Sequence, residues 1–282
     1  MAFDMSLVGK ASDALTFDYD WKDVVLYALG IGAKADELDY LYDGRGSLKT
    51  YPSFAVVPSF PPVISLLARL GGNLATVVHG AQKVKMHAPI PAEGSLKTTA
   101  TVRGIYDMRK FASVITDTRT VDAKTGNPLF DTEWTILFRG EGGFGGPPPP
   151  KDDPPAPPTD RGADFSVSEA TSKEQALLYR LSGDLNPLHA DPDFAKMAGF
   201  AAGPILHGLC TFGHMVRAVV KGACGGDATR LKVFEAQFRK PVWPGDTITT
   251  EGWKIDSGRY VLSVGVKERP DAVITNAAAQ IV

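Results

Sequence analysis

The chain has 282 residues, of which 44% are hydrophobic and 22% charged, and its net charge at pH 7 is −2. This composition excludes a disordered or fibrous protein, and the near-neutral charge gives no basic surface for nucleic acid or an anionic membrane. The length allows one large domain or two of roughly 100 to 150 residues. Cys210 and Cys224 form no CxxC motif, so a reducing compartment is expected.

The first half of the chain contains two predicted helices followed by strands. The first helix covers residues 20–29, where Asp20 is a suitable N-cap, and the second covers 62–70. A turn rich in proline and glycine follows at 89–94. Beyond it, β-branched residues recur in segments 96–102, 112–121 and 133–139, which indicates an antiparallel meander.

Glycine and proline dominate residues 141–162, a composition that favours an extended, semi-rigid linker. We therefore predict an amino-terminal domain over 1–140 and a carboxy-terminal domain over 163–282. The spacing GxGxxG occurs at Gly140, Gly142 and Gly145. A dinucleotide-binding loop must lead directly into a helix, however, and here prolines follow, so no cofactor is predicted there.

The second half repeats the order of the first. A helix over 172–181 is predicted from a Ser172/Gln175 capping box, and an apolar helix over 204–221 from Pro204 at its first turn. Strands are predicted at 247–253, 260–266 and 273–282. Each half also carries an Ala-Gln pair, at 81–82 and 236–237. The repeated order predicts a duplicated unit in which a helix lies on an antiparallel sheet.

The residues with chemical potential concentrate at 179–209. Asp184, Asn186 and His189 lie in a turn-rich segment after a helix, and loops on rigid supports commonly carry catalytic groups. A carboxylate and an imidazole at this spacing can hold a water molecule as base and acid, with Asn186 orienting it. The alternative is that Asp184 only caps a helix and His189 only bonds a carbonyl group.

Gly208 lies near the start of the second apolar helix, where backbone N–H groups are free and the helix dipole is positive. That amide can hold a thioester oxygen; alternatively, Gly208 only allows close packing. His207 and His214 are seven residues apart, but no third ligand is in register, so we predict no metal.

At these motifs the sequence resembles the MaoC-like, R-specific enoyl-CoA hydratases of the hydratase 2 type. The resemblance extends over nearly the whole chain and is carried by YRLSGDLNPLH at 179–189, PILHGLC at 204–210, GGFGG at 142–146 and the segment 240–245. It implies a double hot-dog fold of the α+β class, in which only the second half retains the catalytic motif. The first half has Gly30-Ile31-Gly32-Ala33 at the corresponding place and is expected to enlarge the acyl pocket.

The resemblance assigns water activation and proton delivery to Asp184 and His189, orientation of the water to Asn186, and the thioester oxygen to the Gly208 amide. Arg239, Lys240 and His207 are the predicted substrate-binding residues; the first two lie beside a turn and can meet CoA phosphates. The expected reaction is reversible hydration of a trans-2-enoyl-CoA to an (R)-3-hydroxyacyl-CoA, without a cofactor.

Two other functions stay open at this point. One is a dehydratase for carrier-protein, polyketide or sterol side-chain thioesters, and the other is a non-catalytic acyl-CoA binding module. Acyl chain length is not predicted. Residues 1–10 lack a signal-peptide run, the apolar stretch 204–220 is interrupted by polar side chains, and Gln280-Ile281-Val282 is not a peroxisomal signal. We therefore expect a cytoplasmic protein without a membrane span or a nucleic-acid partner, and the resemblance implies a homodimer.

Overall fold

The structure, a computed structural model, describes residues 3–46, 48–151 and 156–282. One antiparallel sheet runs through the described chain, and two long helices lie on one of its faces. The helices are α1 (Trp21–Gly30), α2 (Val56–Leu70), α3 (Gln175–Tyr179), α4 (Pro192–Met197) and α5 (Gly208–Gly222). The strands are β1 (Leu15–Tyr19), β2 (Val77–Met86), β3 (Gly94–Asp107), β4 (Phe111–Asp122), β5 (Pro128–Arg139), β6 (Phe165–Ala170), β7 (Leu231–Phe238), β8 (Thr247–Asp256), β9 (Arg259–Val266) and β10 (Arg269–Ile281).

The strand order repeats about the centre of the sheet. It runs β1-β3-β4-β5-β2 and then β7-β10-β9-β8-β6, so each strand of one half has an equivalent in the other. The halves join where β2 pairs antiparallel with β7. Across this seam Ala81 faces Gln237 and Gln82 faces Ala236, so the two Ala-Gln pairs of the sequence meet. The predicted α+β double hot-dog fold is confirmed.

Alternation along the strands explains which face of the sheet is covered. The even-numbered residues of β5 from Phe130 to Phe138 are buried, while the odd-numbered residues between them are half-buried. Helix α2 packs on β3 and β4, and α5 packs on β6, β7 and β8. The segment Pro52–Leu70 is long and apolar enough to cross a bilayer, but most of it is buried. Burial of each large apolar side chain stabilises the fold by about 1.5–3 kcal/mol.

The predicted start of the second apolar helix is wrong. Helix α5 begins at Gly208, not at Pro204. The cause is a tertiary hydrogen bond, because the Leu206 N–H donates to the Val242 carbonyl at 2.7 Å. His207 therefore keeps an extended backbone (φ −58°, ψ 135°) and occupies the N-cap position. The Gly208 amide becomes the first of the helix.

Two other helix boundaries also differ from the predictions. Helix α3 starts at Gln175, because the Gln175 side chain donates to the carbonyls of Leu29 and Gly30 at the end of α1 (3.1 and 2.6 Å). Only one half of the predicted capping box forms, since the Ser172 N–H reaches the Gln175 side chain at 3.4 Å. Helix α2 begins at Val56 and contains the prolines at 61 and 62 in its interior. The predicted start of this helix at residue 62 was therefore wrong.

A buried charge network joins the two halves. Arg217 of α5 is completely buried and donates to Glu37 in the first half and to Glu169 of β6 (Nη1 to Oε2, 2.7 Å). The Tyr51 hydroxyl donates to Glu37 at 2.5 Å. Burial alone raises the pKa of Glu37, but the Arg217 guanidinium overcomes it and holds the pKa at about 2. Both carboxylates are therefore charged partners of one guanidinium.

Candidate active site

The predicted catalytic loop is fixed by local hydrogen bonds. Gly183 ends the 3-10 turn Arg180–Ser182 with φ 121°, a conformation that favours glycine. The Asp184 carboxylate accepts the Asn186 N–H at 3.2 Å, and the Asn186 side-chain oxygen accepts the Leu188 N–H at 3.0 Å. Asn186 therefore caps the turn Pro187–His189. Its additional role in orienting a water molecule stays a prediction.

His189 is nearly buried, with 9% of its surface exposed. Its Nδ1 lies 2.8 Å from the Ile205 carbonyl oxygen. A carbonyl can only accept, so Nδ1 carries the proton and Nε2 has a free lone pair. Burial lowers the pKa of His189, while the Ile205 hydrogen bond and the Asp184 charge act in the opposite direction. At neutral pH the imidazole is an uncharged base.

His207 brings the two predicted catalytic residues together. Its Nε2 donates to the main-chain oxygen of Asp184 at 3.1 Å, and its ring stacks on that of His189, with centroids 3.7 Å apart and planes inclined by 28°. One side-chain oxygen or nitrogen atom from each of Asp184, His189 and His207 lies within 4.8 Å of the other two. Of the alternative interpretation, the hydrogen bond from His189 to a carbonyl group is present, but Asn186 and not Asp184 caps the following turn. The cluster brings the carboxylate and the imidazole together.

This cluster has the residue types of a metal site but not the geometry. An imidazole ligates a metal in its ring plane at about 2.0–2.1 Å. Two rings stacked face to face at 3.7 Å cannot both direct an in-plane lone pair at one ion. The metal pair considered from the sequence does not form either, because His207 precedes α5 and the His214 ring lies against Gly32.

The Gly208 amide is placed to donate to a substrate. The first internal hydrogen bonds of α5 come from Cys210 and Thr211, which both donate to the His207 carbonyl at 3.1 Å. The Gly208 N–H lies ahead of them at the positive end of the helix. A Cβ at Gly208 would meet the Phe238 ring at 3.5 Å, an ordinary contact. Close packing therefore does not require glycine here.

Sequence reasoning missed an aromatic row beside this amide. The Phe238 ring lies 5.0 Å from that of His79, and the His79 ring stacks on Trp134 at 5.1 Å and 9°. The row leads from the start of α5 across the β2–β7 seam into the first half. The only available signal was an aromatic residue next to the basic pair Arg239-Lys240, which is exposed.

The GxGxxG spacing has a structural explanation. The Asp107 carboxylate accepts the N–H groups of Gly143 and Gly145, each at 2.8 Å. A Cβ at Gly142 would collide with the backbone of Arg109. These glycines wrap around a carboxylate of their own half. The segment is a loop closure, in agreement with the expectation that it is no dinucleotide site.

Comparisons with known proteins agree with this fold. Residues 17–140 match the MFE-2 hydratase 2 N-terminal domain, and residues 155–277 match the MaoC like domain. The 3-hydroxyacyl-thioester dehydratase Y of Mycobacterium tuberculosis is 38% identical over 94% of this chain and 92% of its own. The peroxisomal enoyl-CoA hydratase 2 of Arabidopsis thaliana is 35% identical over 96% and 93%. A solved MaoC-like dehydratase from Phytophthora capsici is 30% identical, with a TM-score of 0.88 over 100% of this chain and 98% of that one.

The double hot-dog sheet, the Asp184–His189 loop and the free amide at α5 define a MaoC-like protein with two hot-dog units in one chain. Within that class, the chain belongs to the hydratase 2 family of hydro-lyases.

Proposed function

We propose that this chain catalyses the reversible addition of water to a trans-2-enoyl-CoA, giving an (R)-3-hydroxyacyl-CoA. The observation that carries the proposal is the tautomer of His189: its Nδ1–H is bound to Ile205, so Nε2 keeps a free lone pair, and the ring has a nitrogen within 4.8 Å of an Asp184 carboxylate oxygen. A bare imidazole nitrogen next to a carboxylate is the arrangement that general acid and base chemistry on water requires. Relatives named enoyl-CoA hydratase 2 support the substrate class.

The proposed reaction uses one water molecule between Asp184 and His189. The water oxygen attacks C3 of the enoyl group while these two side chains take up its proton. The C2–C3 π electrons move toward the thioester carbonyl, and an enolate forms. A proton from the Asp184–His189 pair then forms the C2–H bond. Water is consumed, both side chains return to their starting protonation, and the reverse sequence eliminates water.

The Gly208 amide is the proposed donor to the thioester oxygen. Negative charge develops on that oxygen as the enolate forms, so a fixed N–H at a helix terminus stabilises the transition state more than the ground state. Its position next to His207, which contacts both Asp184 and His189, puts donor, acid and base around one centre. The second half of the chain therefore supplies the amide donor, the acid and the base that hydration needs.

The first half and the basic pair supply the proposed binding surface. The row formed by Phe238, His79 and Trp134 offers ring faces to an acyl chain that starts at the Gly208 amide. Arg239 and Lys240 follow Phe238 directly and are exposed, so they can meet CoA phosphates at the mouth of the site.

The direct test is turnover. Purified protein is incubated with trans-2-enoyl-CoA of short, medium and long chain length, and loss of the conjugated thioester absorbance is followed. The product is resolved on a chiral column. We expect an (R)-3-hydroxyacyl-CoA from at least one chain length. Binding without turnover across the series would instead support a non-catalytic acyl-CoA module and contradict the proposal.

Dehydration of a 3-hydroxyacyl thioester is the second candidate. It is favoured by the 38% identity to a protein named 3-hydroxyacyl-thioester dehydratase. The same side chains serve both directions. Comparing an (R)-3-hydroxyacyl group on CoA with the same group on acyl carrier protein separates the two thioester carriers, because only CoA carries a nucleotide whose additional phosphates can meet Arg239 and Lys240.

We also propose a cytoplasmic homodimer. Exposed apolar side chains on α3 and α4 support self-association: Leu177 is 50% and Met197 79% exposed. The two cysteines are free and buried, which suits a reducing compartment. Light scattering after gel filtration tests the dimer, and a single monomeric species at micromolar concentration would contradict it. Cell fractionation tests the location.

A further inference from the structure

His207 contacts both members of the proposed acid and base pair. Its Nε2–H holds the main-chain oxygen of Asp184 at 3.1 Å, and its ring covers one face of the His189 imidazole at 3.7 Å. Only 1% of its surface is exposed. A side chain with these two contacts can fix the relative position of carboxylate and imidazole without touching the substrate.

The remaining ring nitrogen of His207 indicates its protonation state. Nδ1 is buried and has no hydrogen-bond partner among the described residues. A second proton there would create a buried cationic N–H without an acceptor, which is costly. Only a proton on Nε2 has a hydrogen-bond acceptor, the main-chain oxygen of Asp184. The ring is therefore neutral.

The neighbouring groups favour the same state. The titratable and charged groups around the ring are Asp184 and His189 from the loop, Tyr179 of α3, whose ring lies 4.9 Å away, and Arg180 from the following turn. Burial, together with the nearby His189 and Arg180, lowers the pKa of His207 to about 2 against the opposing effect of the hydrogen bond to Asp184. The imidazole is therefore uncharged at neutral pH.

We propose that His207 is the positioning residue of the catalytic pair: its Nε2–H anchors the Asp184 main chain, and its uncharged ring shields one face of His189 from water. The proposal rests on the proposed hydratase function. The anchor sets the distance from carboxylate to imidazole, and misplacement by about 1 Å can cost about a hundredfold in rate. The shield keeps bulk water from that face of His189, so the imidazole stays neutral and can accept a proton from the reacting water.

Two substitutions separate these roles. His207→Phe keeps a ring over His189 but removes the N–H that holds Asp184. We expect at least about a tenfold fall in kcat, with KM within about twofold and with the acid limb of the kcat/KM profile unmoved. His207→Ala removes both contacts and admits water. Its kcat falls similarly, and its acid limb moves to higher pH because the pKa of a hydrated His189 rises toward its ordinary value.

His214→Gln is the matched control. His214 is also a buried histidine of α5, with an Nε2 that has no partner in the described chain, but its ring lies against Gly32. We expect parent kcat and an unmoved acid limb. Circular dichroism of all three variants, at the assay temperature, restricts the comparison to folded protein.

A readout without turnover uses the chain's five histidines. Nitrogen-15 imidazole spectra of the substrate-free parent should show His207 as the Nε2–H tautomer without titration from about pH 5 to 8. A titrating His207, an Nδ1–H tautomer, or folded Phe and Ala variants with parent kcat and acid limb would each overturn the positioning role. Absence of turnover in the parent would instead overturn the proposed function, and the spectra would still decide the tautomer.

Discussion

The Phe238 ring lies 3.5 Å from the place that a Cβ on Gly208 would take, so a methyl group fits there. Gly208→Ala is therefore expected to keep turnover within a few-fold of the parent, because the backbone donor is retained. Gly208→Pro removes only that donor. Proline is favoured at the first position of a helix, and the extended backbone of His207 suits a following proline. We expect roughly a hundredfold or greater loss of kcat for Gly208→Pro.

Steady-state kinetics on both Gly208 variants, with helix content checked by circular dichroism, make the comparison. Equal activity of the Ala and Pro variants would show that the amide does not hold the thioester oxygen. Equal loss in both would show that Gly208 serves packing instead.

The pH dependence of the reaction follows from the state of His189. Burial lowers its pKa below the ordinary 6.5, and the imidazole must be neutral to take a proton from water. The kcat/KM for hydration is therefore expected to stay level as pH falls to about 6.5 and to decline only below it. A profile over pH 4.5 to 8 in a buffer of constant ionic strength, limited to pH values at which the fold is stable, measures this. A decline centred above 6.5 would contradict the assignment of His189.

Several features could be predicted from the sequence because their causes are local. Asp184, Asn186 and His189 lie within one turn, and the Asp20 N-cap forms a complete capping box in the structure. The alternation of β3, β4 and β5 also follows from neighbouring residues. The start of α5 could not be predicted, because it depends on a hydrogen bond between Leu206 and Val242.

Edge strands and tertiary contacts escaped sequence reasoning. Strands β1 and β6 have five and six residues, and only one of these residues, Tyr19, is buried, so they carry little hydrophobic signal. The contact of His207 with Asp184 spans 23 positions in sequence. Phe238 reaches Gly208 of α5 from the end of strand β7. Such contacts leave no periodic pattern in the sequence, because the packing of whole helices and strands brings these residues together.

The basic pair offers a test of substrate binding. Arg239→Ala combined with Lys240→Ala is expected to raise KM for an enoyl-CoA about tenfold, because exposed phosphate contacts are lost, and to leave kcat unchanged. A truncated enoyl thioester without the nucleotide serves as the control substrate. Its KM should be the same for parent and variant. An equal effect on both substrates would indicate that the pair does not bind phosphates.

The Arg217 network predicts a large stability effect. Arg217→Met removes the buried partner of Glu37 and Glu169 and leaves the half-buried Lys221 amine (3.2 and 2.9 Å) as their remaining basic contact. Breaking a buried ion pair costs about 3–5 kcal/mol. Urea denaturation of the parent and the variant measures the change. Arg259→Met breaks an exposed pair with Asp256 (3.3 Å) and should change stability little. Similar midpoints for both variants would show that the network does not hold the halves together.

The central claim, that Asp184 and His189 activate one water molecule, is tested most directly by isosteric replacement. Asp184→Asn keeps an oxygen for the Asn186 N–H, and His189→Asn keeps an N–H near the Ile205 carbonyl, so the loop retains its hydrogen bonds. The measurement is the rate of enoyl-CoA hydration by each folded variant and by the double variant. We predict a loss of at least about a hundredfold in each single variant and little further loss in the double, because the pair acts as a unit. Folded single variants that hydrate at the parent rate would contradict the account.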